Sequence, residues 1–217
     1  MTSIILTKFA KLNSIQKISF TYQQNLRQIM KFLGYILRLI LRPVSGWEDI
    51  SECSETRYDW LRKGLFPMLG ILAICCFIHG AYGHFELSKV LQNAIIEFVS
   101  FFATLFIADE FLCWYGGKYL TVMEDDSKRE RLFDRIRIFN AFNIGILVLI
   151  SIIKNICPVD NTIFDLLPYC IIFVISYSGE YLGIEENKRT LFYILAWLSM
   201  IIPVLVISQV FNSLLSQ

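Results

Sequence analysis

Five stretches of the chain are apolar over about the 20 residues that a helix needs to cross a hydrocarbon core of about 30 Å. They run from Leu65 to Gly83, from about Val90 to Trp114, from Phe139 to Ile156, from about Ile163 to Ile184, and from Thr190 to Leu215. The pattern predicts an all-α integral membrane protein with five transmembrane helices. A different periodicity precedes them. Arg27, Lys31, Arg38 and Arg42 fall at spacings of 4, 7 and 4, which places them within about 60° of one helix face at about 100° per residue. Phe32, Leu33, Ile36, Leu37, Leu39, Ile40 and Leu41 fill the rest. This predicts an amphipathic helix lying in the membrane interface, its apolar side chains in the acyl boundary and its basic stripe on anionic headgroups, at about 1 kcal/mol per charge. The competing reading is the same helix packed against a protein partner. Pro43 stops the helix, Ser45-Gly46 supply a turn, and Trp47 suits the headgroup level. The expected organisation is a poorly ordered basic extension over residues 1–29, an interfacial cytoplasmic lead over 30–64, and a five-span domain over 65–215.

Composition agrees: of 217 residues, 55% are apolar and 18% charged, with a mean hydropathy of +0.54, a membrane-protein balance. The net charge of +1 argues against a generally basic nucleic-acid binder, whose phosphate affinity needs many gathered cations. Placement matters more than the sum. Eighteen of the 20 Lys and Arg residues precede the first span, follow the second, or lie between the fourth and fifth; Lys89 and Lys154 are left for the other side. By the cytoplasmic excess of basic residues, the N-terminus is expected inside and the C-terminus outside. Met1 to Phe9, followed by Lys8, Lys11 and Lys17, does not read as a secretory signal, and Met30 opens a second plausible start. Cys53, Cys75, Cys76, Cys113, Cys157 and Cys170 lie mostly in apolar runs without metal-ligand spacing, and are expected as small buried hydrophobes.

Ionisable groups inside a bilayer are costly, so each invites a functional reading. Asn93, Glu97, Ser100 and Thr104 form a polar seam on the second span, and Asn140, Asn143, Ser151 and Lys154 form one on the third. Glu97 is expected to pair with Lys154. Asp109 and Glu110 lie nearer the inner end, within reach of Arg135, Arg137, Lys188 or Arg189, and Glu180 falls in the fourth span. These groups read either as an ion or proton path or as helix–helix glue. His79, His84 and Glu86 are too few to make a metal site. The run from Glu124 through Arg137 reads as a charged loop or short amphipathic helix. No catalytic motif, phosphate loop or dinucleotide fingerprint is present, so no enzyme and no cofactor is expected.

The lead ends in Arg42-Pro43-Val44-Ser45-Gly46-Trp47-Glu48-Asp49-Ile50, and Trp114-Tyr115-Gly116-Gly117-Lys118 closes the second span. In these motifs, and over about residues 35–214, the chain resembles the bacterial branch of the Yip family of five-span membrane proteins. The motif residues are Pro43, Trp47, Gly116 and Gly117. The resemblance implies a multi-pass protein of a bacterial inner membrane with a non-enzymatic role in membrane organisation or trafficking-like processes. It implies contacts with the bilayer, anionic lipids and other membrane proteins, and a homo-oligomer is possible. Eukaryotic Yip proteins bind Rab-type GTPases. Here their Asp-Leu-Tyr-Gly-Pro motif is replaced by Leu39-Ile40-Leu41-Arg42-Pro43, so a GTPase partner is doubtful and no binding residue carries over. The alternative from another class is a small transporter or channel component built on Glu97, Asp109, Glu110, Glu180 and Lys154, with Pro168 and Pro203 breaking helices. A lipid-modifying enzyme ranks last.

Overall fold

The structure, a computed structural model, describes residues 23–24, 26–82, 86–120, 126–157 and 167–215. Among these residues every regular element is helical. The first helix, α1, spans residues 26–41. It ends because Pro43 cannot donate a backbone hydrogen bond, and that proline instead opens α2, Pro43–Ser51, where its missing N–H costs nothing. Residues 26–29 therefore belong to the lead; residues 1–22 and 25 of the expected disordered extension lie outside the described residues.

A capping box starts α3. Thr56 accepts from the Asp59 amide, and the Asp59 carboxylate accepts from the Thr56 amide. The helix then runs Arg57–Ala81, through a π-helical turn at Leu61–Leu65. Next come α4, Leu87–Leu120, and α5, Asp126–Ile156. The charged residues 126–137, expected as a loop or separate short helix, are continuous with the third span. Two short helices follow, α6 at Cys170–Ser176 and α7 at Gly179–Leu182, and α8 at Glu186–Leu215 closes the fold. α5 is the central helix, with 67% of its apolar window buried against 22% for α8, which keeps most of its surface for lipid.

Among the described residues four helices, not five, are long and apolar enough to cross a membrane: α3, α4, α5 and α8. The stretch predicted as the fourth span, 163–184, is broken where it is described. A 3-10 turn at Leu167–Tyr169 holds Pro168, the chain turns at Tyr177 and Ser178, and α7 stops on Gly183, whose φ of +69° is a left-handed helix cap. Helix directions show what this stretch does. Phe192, early in α8, meets Tyr115 near the end of α4 and Phe139 in the first half of α5. At the other end of the bundle, Asn212 late in α8 lines one cavity with Asn93 early in α4, Asn155 late in α5 and His79 late in α3. Helices α3, α5 and α8 therefore run one way and α4 the other. The described residues 167–185 lie along the bundle in short pieces, with Tyr169 beside Trp197 and Val174 beside Trp47.

Candidate functional site

Three places concentrate chemistry: the face of the lead helix, a charged cluster at the Arg57 end of the bundle, and a polar cavity at the opposite end.

Helix α1 has three faces. Phe32, Ile36 and Leu39 are fully buried, with Phe32 against Phe142 and Trp60. Their approach needs Gly64 and Gly145. A Cβ at Gly64 would come within 2.5 Å of Phe32, and one at Gly145 within 2.9 Å of Ile36. The sequence expected these apolar side chains in lipid; the helix instead docks on its own bundle. A second apolar stripe, Leu26, Met30, Leu37 and Leu41, stays exposed, about 100° around the helix from the basic stripe. Within that basic stripe, Lys31 pairs with Glu55, and Arg38 with Asp49 at 2.7 Å. Arg27 and Arg42 are exposed. The Glu55 hydrogen bond raises the Lys31 ammonium above its usual range. Burial pushes the Glu55 carboxyl up, but hydrogen bonds from the Cys53 thiol and Lys31 outweigh it and leave the carboxyl below its usual range.

Trp47 does not face lipid headgroups from the surface but is packed inside the protein. It is 2% exposed, stacked between Phe139 at 5.6 Å and Tyr181 at 5.0 Å, and its indole N–H donates to the Val174 carbonyl at 3.0 Å. That bond satisfies the indole's one polar group, which makes burial affordable. Pro43 is buried as well. Gly116 and Gly117 mark a close approach: a Cβ would meet Ile136 at 2.9 Å and Phe133 at 3.0 Å respectively. Pro43, Trp47, Gly116 and Gly117 thus hold the lead and the start of α5 against the bundle.

The second place is built on Asp109, 2% exposed in α4. Its Oδ2 accepts from Arg57 at 2.7 Å and its Oδ1 from Asn140 Nδ2 at 2.8 Å. The expected partners were Arg135, Arg137, Lys188 or Arg189; only Arg137 acts on it, electrostatically. Arg57 was missed because the apolar count begins the first span at Leu65, whereas the helix begins eight residues earlier. Buried acceptors and donors remain unpartnered nearby: Asn140 Oδ1, Asn143 Oδ1, Arg57 Nε and Arg137 Nε. Glu110 is exposed. Glu180 is exposed too, on short α7 rather than inside a long helix.

The third place is an open cavity of about 390 Å³ lined by α3, α4, α5 and α8. Glu97 faces it, and both carboxylate oxygens accept from Asn155 Nδ2 at 3.2 Å. Asn155, next to the expected partner Lys154, thus supplies this hydrogen bond; Lys154 and His79 act on Glu97 electrostatically. Asn93, Ser100 and Ser151 from the two predicted seams also line the cavity. Among the described residues no group of three or more His, Cys, Asp and Glu side chains is gathered to hold a metal ion; His84 lies outside them. All six cysteines are free thiols.

Fold and site together define a multi-pass helical membrane protein with a docked amphipathic lead and a polar cavity between its long helices. No protein-family model, curated protein or solved structure matches the chain.

Proposed function

We propose that this chain is a Yip-type, non-enzymatic membrane-organising protein of a bacterial inner membrane, working through lipids and other membrane proteins. The observation that carries this reading is the three-faced lead helix. One face is locked into the bundle, the next is apolar and exposed, and the third is basic. Such a helix fixed at the edge of a bundle sits half immersed, its apolar stripe in the acyl boundary and Arg27 and Arg42 at anionic headgroups. The bundle end that carries the lead also carries Arg57, Lys118, Arg135 and Arg189, whereas the other end has Lys89 and Lys154. This asymmetry supports a reading with the lead in the cytoplasm and the end of α8 outside.

The test uses the full chain in nanodiscs of neutral phosphatidylcholine, with and without anionic phosphatidylglycerol. Amide exchange over residues 26–41 is expected to slow in the anionic discs, and the Arg27→Gln/Arg42→Gln variant is expected to lose most of that difference. Equal protection in neutral and anionic discs would overturn the lipid reading.

The transporter alternative is favoured at one position. Asp109 is closed off by Arg57 and Asn140, and Glu110 and Glu180 are exposed, whereas Glu97 lines the polar cavity.

A further inference from the structure

The cavity around Glu97 carries chemistry that the membrane-organising reading does not use. Its wall holds one carboxyl group, Glu97, among amides and hydroxyls from three helices, with the His79 imidazole and Cys76 thiol from α3 at its side. A single Asn155 amide bridges the two carboxylate oxygens, and each oxygen has a further lone pair. Ser100 also lines the cavity, is 1% exposed, and its Oγ has no partner. A buried hydroxyl without a partner marks a place where a ligand atom or water completes the set. Phe101, buried beside Ser100, contributes an aromatic wall.

Carboxylate, hydroxyl and amide acceptors around an aromatic ring match an ammonium group, which has three donors, a positive charge and an affinity for ring faces. An anion would meet Glu97. A divalent metal would need more hard oxygen ligands than one carboxylate supplies. The size falls within the range of small-molecule pockets. Beyond Ser100 on α4, the buried Thr104 hydroxyl is spent on the Ser100 carbonyl, and Leu105, Ala108, Ile144 and Leu147 are buried and apolar. The arrangement is a site at one end of the bundle.

We propose that this cavity binds an ammonium group, seated between Glu97, Ser100 and Phe101, belonging either to a small free amine or to the headgroup of an aminophospholipid. The inference rests on the cavity and is independent of the membrane-organising reading, whose nanodisc test concerns the opposite end of the bundle.

The experiment follows thermal unfolding of the full chain in nanodiscs. Ethanolamine is titrated into phosphatidylglycerol discs, with ethylene glycol as the uncharged counterpart, and discs containing phosphatidylethanolamine form the second arm. The expected result is a saturable rise in melting temperature with ethanolamine and none with ethylene glycol. Glu97→Gln should weaken ethanolamine binding at least tenfold, whereas Glu110→Gln, on an exposed position, should leave it unchanged. If the lipid is the source, phosphatidylethanolamine discs raise the melting temperature by themselves and blunt the ethanolamine response. Should Glu97→Gln fail to fold, Ser208→Leu fills the cavity from α8 without touching the carboxyl and should abolish the response. The proposal is overturned if neither ethanolamine nor phosphatidylethanolamine shifts the transition. It is also overturned if ethylene glycol shifts it equally, or if both variants respond like the parent.

Discussion

Replacing Asp109 with Leu removes the carboxylate that joins α3, α4 and α5. The side chain is 2% exposed and accepts two short hydrogen bonds, from Arg57 at 2.7 Å and Asn140 at 2.8 Å. After the change Asn140, already carrying an unpartnered Oδ1, also loses the acceptor of its Nδ2, at a cost of about 1–3 kcal/mol. Breaking a buried ion pair from one side typically costs about 3–5 kcal/mol because the other charge is stranded. The two costs overlap, and the Arg57 side chain, 29% exposed, recovers part of its solvation. Asp109→Leu is therefore expected to destabilise by about 3 kcal/mol, the lower end of that range. For a chain of this size that corresponds to a melting-temperature drop of about 6–12 °C. The double variant Arg57→Met/Asp109→Leu removes the stranded charge as well and should recover that part of the loss, staying about 1–2 kcal/mol below the parent because Asn140 still lacks its acceptor. The assay is unfolding in a fixed detergent, followed by tryptophan fluorescence, for the parent, both single variants and the double. Additivity of the two single effects within about 0.5 kcal/mol would refute the pairing, since independent sites add.

Trp47→Ala should cost about 3–5 kcal/mol in the same assay. Trp47→Phe retains an aromatic ring between Phe139 and Tyr181 but leaves the Val174 carbonyl without its donor, for about 1–2 kcal/mol. Gly64→Leu should displace Phe32 and undock α1, read as at least tenfold faster trypsin cleavage at Arg27 or Lys31 with the long helices still folded. The Lys31–Glu55 pair sets a pH window. Glu55 is held below its ordinary 4.5, so its contribution is present above that value and is lost as pH falls through the lowered one. Lys31 is held above its ordinary 10.5, so its contribution is full below that value and is lost as pH rises through the raised one. Amide protection of α1, corrected for intrinsic exchange, should therefore peak between these limits and fall on both sides; Glu55→Gln should remove the acid limb.

Much of the architecture was legible. Apolar stretches longer than a bilayer core is thick announce themselves by length alone, and the three spans around Leu72, Phe101 and Leu147 lie where hydropathy places them. The broken stretch at 163–184 was not legible, because an apolar count is blind to continuity. Pro168, Ser178 and Gly183 interrupt the helix without lowering hydropathy enough to register. Periodicity found the basic stripe of α1 but could not tell lipid from protein as the environment of Phe32 and Ile36, since both surroundings are equally apolar. For the same reason Trp47, a residue type at home in headgroups, was expected there; only the neighbouring Phe139, Tyr181 and Val174 carbonyl, distant in sequence, decide its burial. The seam residues Asn93, Glu97, Ser100 and Ser151 did converge on one cavity, as helical spacing required. The partner of Asp109 did not follow from spacing, because helix α3 begins at a capping box rather than where polarity ends.

The membrane-organising reading depends on the Arg57 end of the bundle, with its docked lead, facing the cytoplasm while the far end of α8 faces out. The most direct test is a pair of fusions after Gln217 in a bacterial host, one to alkaline phosphatase and one to green fluorescent protein. Phosphatase activity without fluorescence is expected, because α8 runs parallel to α3 and ends opposite the Arg57 end of the bundle. Fluorescence without phosphatase activity would put the far end of α8 in the cytoplasm and contradict that placement.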